Sequence, residues 1–187
     1  MKIEETALAG VLLLTMPRHV DPRGHFSESW SQPRLAAAGI DIAFVQDNES
    51  LSRRAGTVRG LHYQAPPAAQ AKLVRVAAGV IWDVAVDIRR GSPSFGRWVG
   101  AELSAENGRQ MLIPEGFLHG FVTRAPDTLV LYKCSRPYAP ECDRAVRFDD
   151  PDLGIDWGIA PGRAILSDKD AAAPTLRDAG TPFDWAG

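Results

Sequence analysis

The stretch Val80–Ile88 alternates with period two over nine residues: Val80, Trp82, Val84, Val86 and Ile88 fall on one face, Asp83 and Asp87 on the other. A helix would scatter those apolar groups around its axis, so the segment predicts a strand. Shorter runs repeat the theme. Val11–Met16, His25–Trp30, Ala43–Gln46, Val58–Gln64, Leu73–Val76, Trp98–Leu103, Gln110–Ile113, Phe121–Arg124, Leu129–Cys134 and Ala145–Phe148 read as further strands. Gly, Pro, Asp and Asn separate them, most clearly at Asp21-Pro22-Arg23-Gly24, Arg90-Gly91-Ser92-Pro93 and Glu106-Asn107-Gly108. About ten strands with no alternation of strand and helix predict an all-β domain, a sandwich or a jelly roll. Helix is confined to the periphery, at Gln32–Ala38 with Gly39 as its stop and in one weak turn after Lys169. No repeat, low-complexity tract or linker interrupts the chain, so residues 1–187 are expected to form one domain.

Composition narrows the partners. A net charge of -2, spread along the chain, argues against a nucleic-acid or membrane footprint made by bulk charge. An anionic ligand must therefore meet a local cluster of cations. Cys134 and Cys142 lack metal-type spacing and make no disulfide framework, so both are expected as free thiols. The apolar run Val11–Leu14 is too short for a signal peptide core or a membrane span, and the expected location is the cytoplasm.

Two segments, Gly56-x5-His62 and Gly108-x5-Pro114-x-Gly116-x2-His119, resemble the paired motifs of the cupin superfamily. That resemblance implies a double-stranded β-helix, the cupin jelly roll, with one or two short peripheral helices. Metal-binding cupins continue the first motif with a second His and a Glu. Here Gln64 stands in place of the His, and Lys72 where the Glu would be. Two imidazoles beside an ammonium make a poor divalent site, so no metal is expected. If the motifs converge, Arg59, His62, Lys72 and His119 would line one pocket suited to an oxyanion such as a diphosphate. Taken singly, Arg59 and Lys72 read as solvated strand-end charges, and His119 equally as a core or turn histidine.

A more specific likeness follows from longer motifs. Asp21-x-Arg23-Gly24-x-Phe26-x-Glu28, Phe44-Val45-Gln46-Asp47-Asn48 and Arg59-Gly60-Leu61-His62-Tyr63-Gln64 occur in succession. They are followed by Ala69-Gln70-x-Lys72-Leu73-Val74-Arg75, Asp83-Val84-Ala85-Val86-Asp87-Ile88-Arg89, Ile113-Pro114-Glu115-Gly116-Phe117-x-His119, Tyr132-Lys133 and Leu166-Ser167-Asp168-Lys169-Asp170. Together they resemble the dTDP-4-dehydrorhamnose 3,5-epimerases from about residue 10 to 175.

The resemblance implies a cofactor-free isomerase acting on dTDP-4-dehydro-6-deoxyglucose, whose C4 ketone acidifies the hydrogens on C3 and C5. His62 would be the base and Asp170 its orienting partner; Tyr132 would deliver the proton to the opposite face, and Lys72 would meet the enolate oxygen. Arg23, Arg59 and His119 match diphosphate-binding positions, Glu28, Gln46 and Asn48 match thymidine-binding ones, Tyr138 matches a residue stacking on thymine, and Lys169 matches a further binding position. A homodimer built by exchange of N-terminal strands is also implied, with Phe26 and Glu28 reaching the partner's pocket.

Without the register of motifs, Glu28 fits an exposed strand, Gln46 and Asn48 fit backbone-satisfying loop residues, Tyr138 fits the core and Asp170 a helix cap. The sequence departs from relatives at Asp143, where a ligand-contacting Glu is usual, at Glu49 in place of His, and at Trp82 in place of Phe. Four alternatives stand beside this reading, one of them a cupin-like 3,4-ketoisomerase, which the contexts of Lys72 and Tyr132 fit less well. A C3-only epimerase would use the same His and Tyr; a noncatalytic sugar-nucleotide-binding cupin would need neither; a metal-dependent cupin conflicts with Gln64 and Lys72.

Overall fold

The computed structural model describes residues 1–186. In chain order it contains β1 (Lys2–Glu5), β2 (Leu12–Thr15), β3 (His19–Asp21), β4 (Gly24–Phe26), α1 (Gln32–Ala37), β5 (Gln46–Ser52), β6 (Val58–Gln64), β7 (Lys72–Ala78), β8 (Val80–Asp87), β9 (Trp98–Ser104), β10 (Arg109–Ile113), β11 (Phe117–Thr123), β12 (Thr128–Cys134), β13 (Asp143–Ala145), α2 (Asp168–Ala171) and α3 (Leu176–Ala179). Six strands form one sheet in the order β1-β2-β10-β7-β12-β5, and five form a second in the order β13-β6-β11-β8-β9. β3 and β4 make a separate hairpin. All strand pairings are antiparallel. With β10 between β2 and β7 and β11 between β6 and β8, neighbours in space are distant in sequence, as in a jelly roll.

Pairing register decides which side chains face inward. Val74, Val76 and Val130 of the larger sheet meet Ile81, Ala85, Phe117 and Phe121 of the smaller one in a core between the sheets. The outer face of the smaller sheet, carrying Leu61, Val84, Val86 and Leu118, is covered in turn by Val146, Phe148, Trp157 and Leu176. Leu35 of α1 and Ile40 cover Leu14, Leu73 and Leu112 on the outer face of the larger sheet. β8 is therefore buried on both faces, and its alternation separates two interiors rather than interior from solvent. Trp82 packs against the outer core where Gly100 leaves room: a Cβ there would come within 2.6 Å of the indole.

Asp87, fully buried, shows what such a position demands. Its carboxylate accepts hydrogen bonds from Arg89 Nε at 2.9 Å, Arg89 Nη2 at 2.7 Å, Ser92 Oγ at 2.6 Å and Ser94 Oγ at 2.7 Å. The Arg89 guanidinium itself lies between the rings of Phe117 and Trp185, 4.4 and 4.3 Å from their centroids. Burial opposes ionisation of Asp87, but these bonds outweigh it and bring its pKa down to about 2. A group depressed in the folded state stabilises above its unfolded pKa and loses that contribution as pH falls through its folded value. Asp87 is thus expected to contribute about 2 kcal/mol above pH ~4, lost progressively towards pH ~2. Acid unfolding of Asp87→Asn, followed by circular dichroism, should show a flatter dependence in that window; an unchanged profile would refute this account.

The sheets match the expected all-β class, with differences at several edges. His25–Trp30 is not one strand: only Gly24–Phe26 is extended, paired in the hairpin with His19–Asp21. Ala43–Gln46 gives way to a strand beginning at Gln46, because the polar alternation of Gln46, Asn48 and Ser50 is matched residue for residue to β12. β11 starts at Phe117, four residues before the expected strand. β13 ends at Ala145, after which Val146 and Phe148 turn into the outer core. The helix at Gln32–Ala37 ends as expected before Gly39, at φ +82°. The expected weak turn after Lys169 resolves into two four-residue helices, α2 and α3. Cys134 and Cys142 are buried free thiols.

Candidate active site

The inward face of β6 carries Arg59, His62 and Gln64, and His119 of β11 stands opposite His62 in register. The facing sheet contributes Lys72 of β7, Tyr132 and Cys134 of β12, and Gln46 and Asn48 of β5, brought level by the pairs Cys134↔Lys72, Tyr132↔Asn48 and Cys134↔Gln46. Both cupin-like motifs therefore converge. β6 and β11 approach closely enough to need glycine on both strands, since a Cβ on Gly60 would lie 2.6 Å from the Gly120 Cα.

A cavity of about 570 Å³ runs between the sheets, lined by Arg59, His62, Lys72, His119 and Tyr132 and rimmed by Ile165–Ser167, Lys169 and Asp170. A second lobe of about 370 Å³ continues past His62, Lys72 and Tyr132 to Gln46, Asn48, Tyr138 and Asp143. His62, Lys72, Tyr132 and Lys169 border both. The junction of the lobes thus holds a base candidate, two amines and a phenol.

Asp170 arrives from far along the chain. A parallel bridge between Thr57 and Ile165 lays the C-terminal segment beside β6, and Ser167 caps α2 by accepting the Asp170 N–H at 3.2 Å. The Asp170 carboxylate then lies 2.6 Å from His62 Nε2. Burial opposes its ionisation, yet the hydrogen bond from His62, with smaller contributions from Ser167 and the Gly60 amide, holds the carboxyl below its usual range. An ionised carboxylate only accepts, so the proton of this bond sits on Nε2 and the lone pair of the imidazole is on Nδ1. The base candidate is held in one tautomer.

Burial lowers the pKa of Lys72, opposed chiefly by Cys134, Asp143 and Asp83. Lys72 makes no ion pair among the described residues. Burial raises the pKa of Tyr132, which keeps its phenol protonated across the neutral range. His119 is buried with Nε2 2.7 Å from Asp83 Oδ1, and burial lowers its pKa. Arg59 donates to Ser52 Oγ and the Leu51 carbonyl, each at 3.1 Å.

In the second lobe Tyr138 donates its backbone N–H to Gln46 Oε1 at 2.8 Å, and Gln46 Nε2 donates to Asn48 Oδ1 at 3.0 Å. The Tyr138 hydroxyl donates to Asp143 Oδ2 at 3.2 Å, and the same oxygen pairs with the Lys169 ammonium. The shorter carboxylate at 143 is therefore engaged within the protein. Glu49 points away from the face carrying Asn48 and Ser50 but still borders the mouth of the larger lobe.

Arg23, Phe26 and Glu28 lie elsewhere. Arg23 is 90% exposed and paired with Asp21, Phe26 is 72% exposed, and Glu28 pairs with Arg34; none lines either lobe. Conversely, Asp83 touches the site through its hydrogen bond with His119, although its motif suggests no role. The only sequence signal for it was its position on the face of β8 opposite Val84 and Val86.

The profile of the dTDP-4-dehydrorhamnose 3,5-epimerase family matches residues 5–178. An epimerase of that name from Pseudomonas aeruginosa is 48% identical over 180 residues, 96% of this chain and 98% of that protein. The chain belongs to the dTDP-4-dehydrorhamnose 3,5-epimerase family. A relative of the same name from Sinorhizobium fredii is 45% identical over 185 residues, covering 99% of this chain and 94% of that one. The crystal structure of the Legionella pneumophila 3,5-epimerase, in complex with dTDP-4-keto-L-rhamnose, superposes with a TM-score of 0.93 at 43% identity over 99% of both chains. Within this family fold, the cavity between the sheets is lined by charged and polar side chains. Among the described residues no helix is long and apolar enough to cross a membrane.

Proposed function

We propose that the protein is a dTDP-4-dehydrorhamnose 3,5-epimerase that converts dTDP-4-dehydro-6-deoxy-D-glucose to dTDP-4-dehydro-L-rhamnose. One observation carries the reading: a histidine oriented by a carboxylate and a protonated tyrosine stand on opposite sheets across one cavity, whose wall also carries a lysine without an ion pair among the described residues. A binding pocket alone has no use for a base and an acid on the two faces of its ligand.

His62 Nδ1 takes the proton from C3 or C5, and the C–H electron pair passes into an enolate with its charge on the C4 oxygen. Lys72 donates to that oxygen, a contact that strengthens as the charge develops. Tyr132 gives its proton to the opposite face of the carbon, inverting it, and the resulting phenolate and imidazolium return to their starting states through solvent. Asp170 stabilises the imidazolium meanwhile. Arg59 and His119 serve the diphosphate, Gln46 and Asn48 the thymidine, and Tyr138 stacks on thymine; Asp143 and Lys169 close that end of the cleft.

Arg23, Phe26 and Glu28 act on the cavity of a second copy. An apolar Phe26 and Val20 left 72% and 79% exposed on a two-stranded hairpin support a homodimer built by exchange of these N-terminal strands.

The decisive measurement is proton NMR with the keto-sugar nucleotide in deuterated water. Deuterium entering both C3 and C5 is the expected result. Entry at C3 alone would make the protein a mono-epimerase, and entry at neither would remove the activity.

A further inference from the structure

Asp83 is fully buried, and its two oxygens are treated differently. Oδ1 accepts the Nε2–H of His119 at 2.7 Å, while Oδ2 has no hydrogen-bond donor among the described residues. An unpartnered carboxylate oxygen in a protein interior is unfavourable and calls for a reason. The register supplies one. Asp83 sits opposite Phe121 on β11 and Ala101 on β9, both of which belong to or border the core between the sheets, so its side chain faces the same interior as Lys72 on the facing sheet. The two groups act on each other: Asp83 is one of three acidic groups that favour the charged form of Lys72.

Resting on the epimerase reading above, we propose that Asp83 is a positioning residue of the reaction, fixing His119 with one oxygen and serving with the other as the fixed counter-charge that keeps Lys72 an ammonium aimed at the C4 oxygen. Desolvation alone works against a charged Lys72. The other charges around it do not substitute. Cys134 is a thiol whose own ionisation is suppressed by burial, and Asp143 is spent on Lys169 and Tyr138. Arg59, His62, His119 and Lys169 bring no negative charge, Asp170 of α2 is engaged with His62, and Glu49 is exposed at the cavity mouth. Asp83 is the carboxylate that faces this interior with one oxygen left without a donor among the described residues. Its hydrogen bond also commits His119 to one tautomer, so that a neutral, correctly turned imidazole stands beside the base.

Asp83→Asn separates charge from shape, since the amide oxygen can still accept from His119 while the charge is gone. The expected result is a turnover about 100-fold lower with KM changed less than threefold, and an alkaline limb of the kcat profile lying about one pH unit lower, because Lys72 loses its proton more easily. Activity within threefold of the parent and an unmoved alkaline limb would overturn the proposal, even with a lowered melting temperature. If Asp83→Asn does not fold, the Lys72 ammonium can be titrated in the unsubstituted protein by nitrogen-15 NMR, its resonance assigned with Lys72→Arg. A charge retained through pH ~8 agrees with the proposal; loss below neutrality overturns it. Absence of deuterium exchange in the unsubstituted protein is a different result, which removes the epimerase reading itself.

Discussion

Replacing His62 by alanine is expected to lower turnover about 10,000-fold and to stop deuterium entry at both C3 and C5. The size follows from the role. Without Nδ1 no group in the cavity is placed to take the carbon-bound proton: the other imidazole, His119, has Nε2 committed to Asp83 and is kept neutral but buried. Folding should survive, because His62 is partly exposed to the cavity and the strand pairing of β6 does not depend on its side chain. Binding of dTDP, measured by calorimetry, should stay within a few-fold of the parent, as the substitution leaves the proposed diphosphate and thymidine residues Arg59, His119, Gln46 and Asn48 in place. A variant that keeps a tenth of its activity would shift the base elsewhere, whereas one that loses dTDP binding as well would point to a collapsed cavity.

The second large effect is expected at Tyr132→Phe, and its pattern is more diagnostic than its size. Epimerisation should fall about 1,000-fold, since the phenol that gives its proton to the face opposite His62 is gone. Deuterium should still enter the recovered starting sugar without inversion, because His62 can remove a proton, exchange it with solvent and return deuterium to the same face. That split between exchange and inversion separates an acid from a residue that merely shapes the pocket. Loss of both in equal measure would assign Tyr132 to binding. The raised pKa of Tyr132 fits the role: burial favours the neutral phenol, so the proton is present when the enolate forms. The partner Asp170 is tuned the other way and remains an anion through the working range.

The two walls also explain how one site can treat two carbons. In the proposed reaction C3 and C5 flank C4, so a ring turned about an oxyanion held by Lys72 would present each carbon in turn to His62 and Tyr132. Whether both are inverted is a matter of room for that turn where the two lobes meet at His62, Lys72, Tyr132 and Lys169.

Much of the molecule was legible in the chain itself. The nine-residue alternation of β8 and the glycine-rich punctuation determined an all-β fold. The resemblance of Gly56-x5-His62 and of Gly108-x5-Pro114-x-Gly116-x2-His119 to the paired cupin motifs pointed to two strands carrying imidazoles. These are local properties: side-chain period, turn chemistry and residue type are written over a few consecutive positions. The hidden features are those made by register across sheets and by the covering of surfaces. β5 was misplaced because its inward face is polar, Gln46, Asn48 and Ser50, and only the cavity it lines makes sense of that. Asp83 looked like half of an ordinary acidic strand face until the C-terminal segment covered the opposite side of β8 and left Asp83 with His119 inside the molecule. The meeting of His62 with Asp170, 108 positions apart, likewise depends on the Thr57–Ile165 bridge and on Ser167 capping α2, contacts between segments with no mutual signal in the sequence. Sequence determined which groups the protein possesses and which strands bear them; the tertiary structure decided which of those groups lose water together, and it is that shared desolvation that sets their charges and partners.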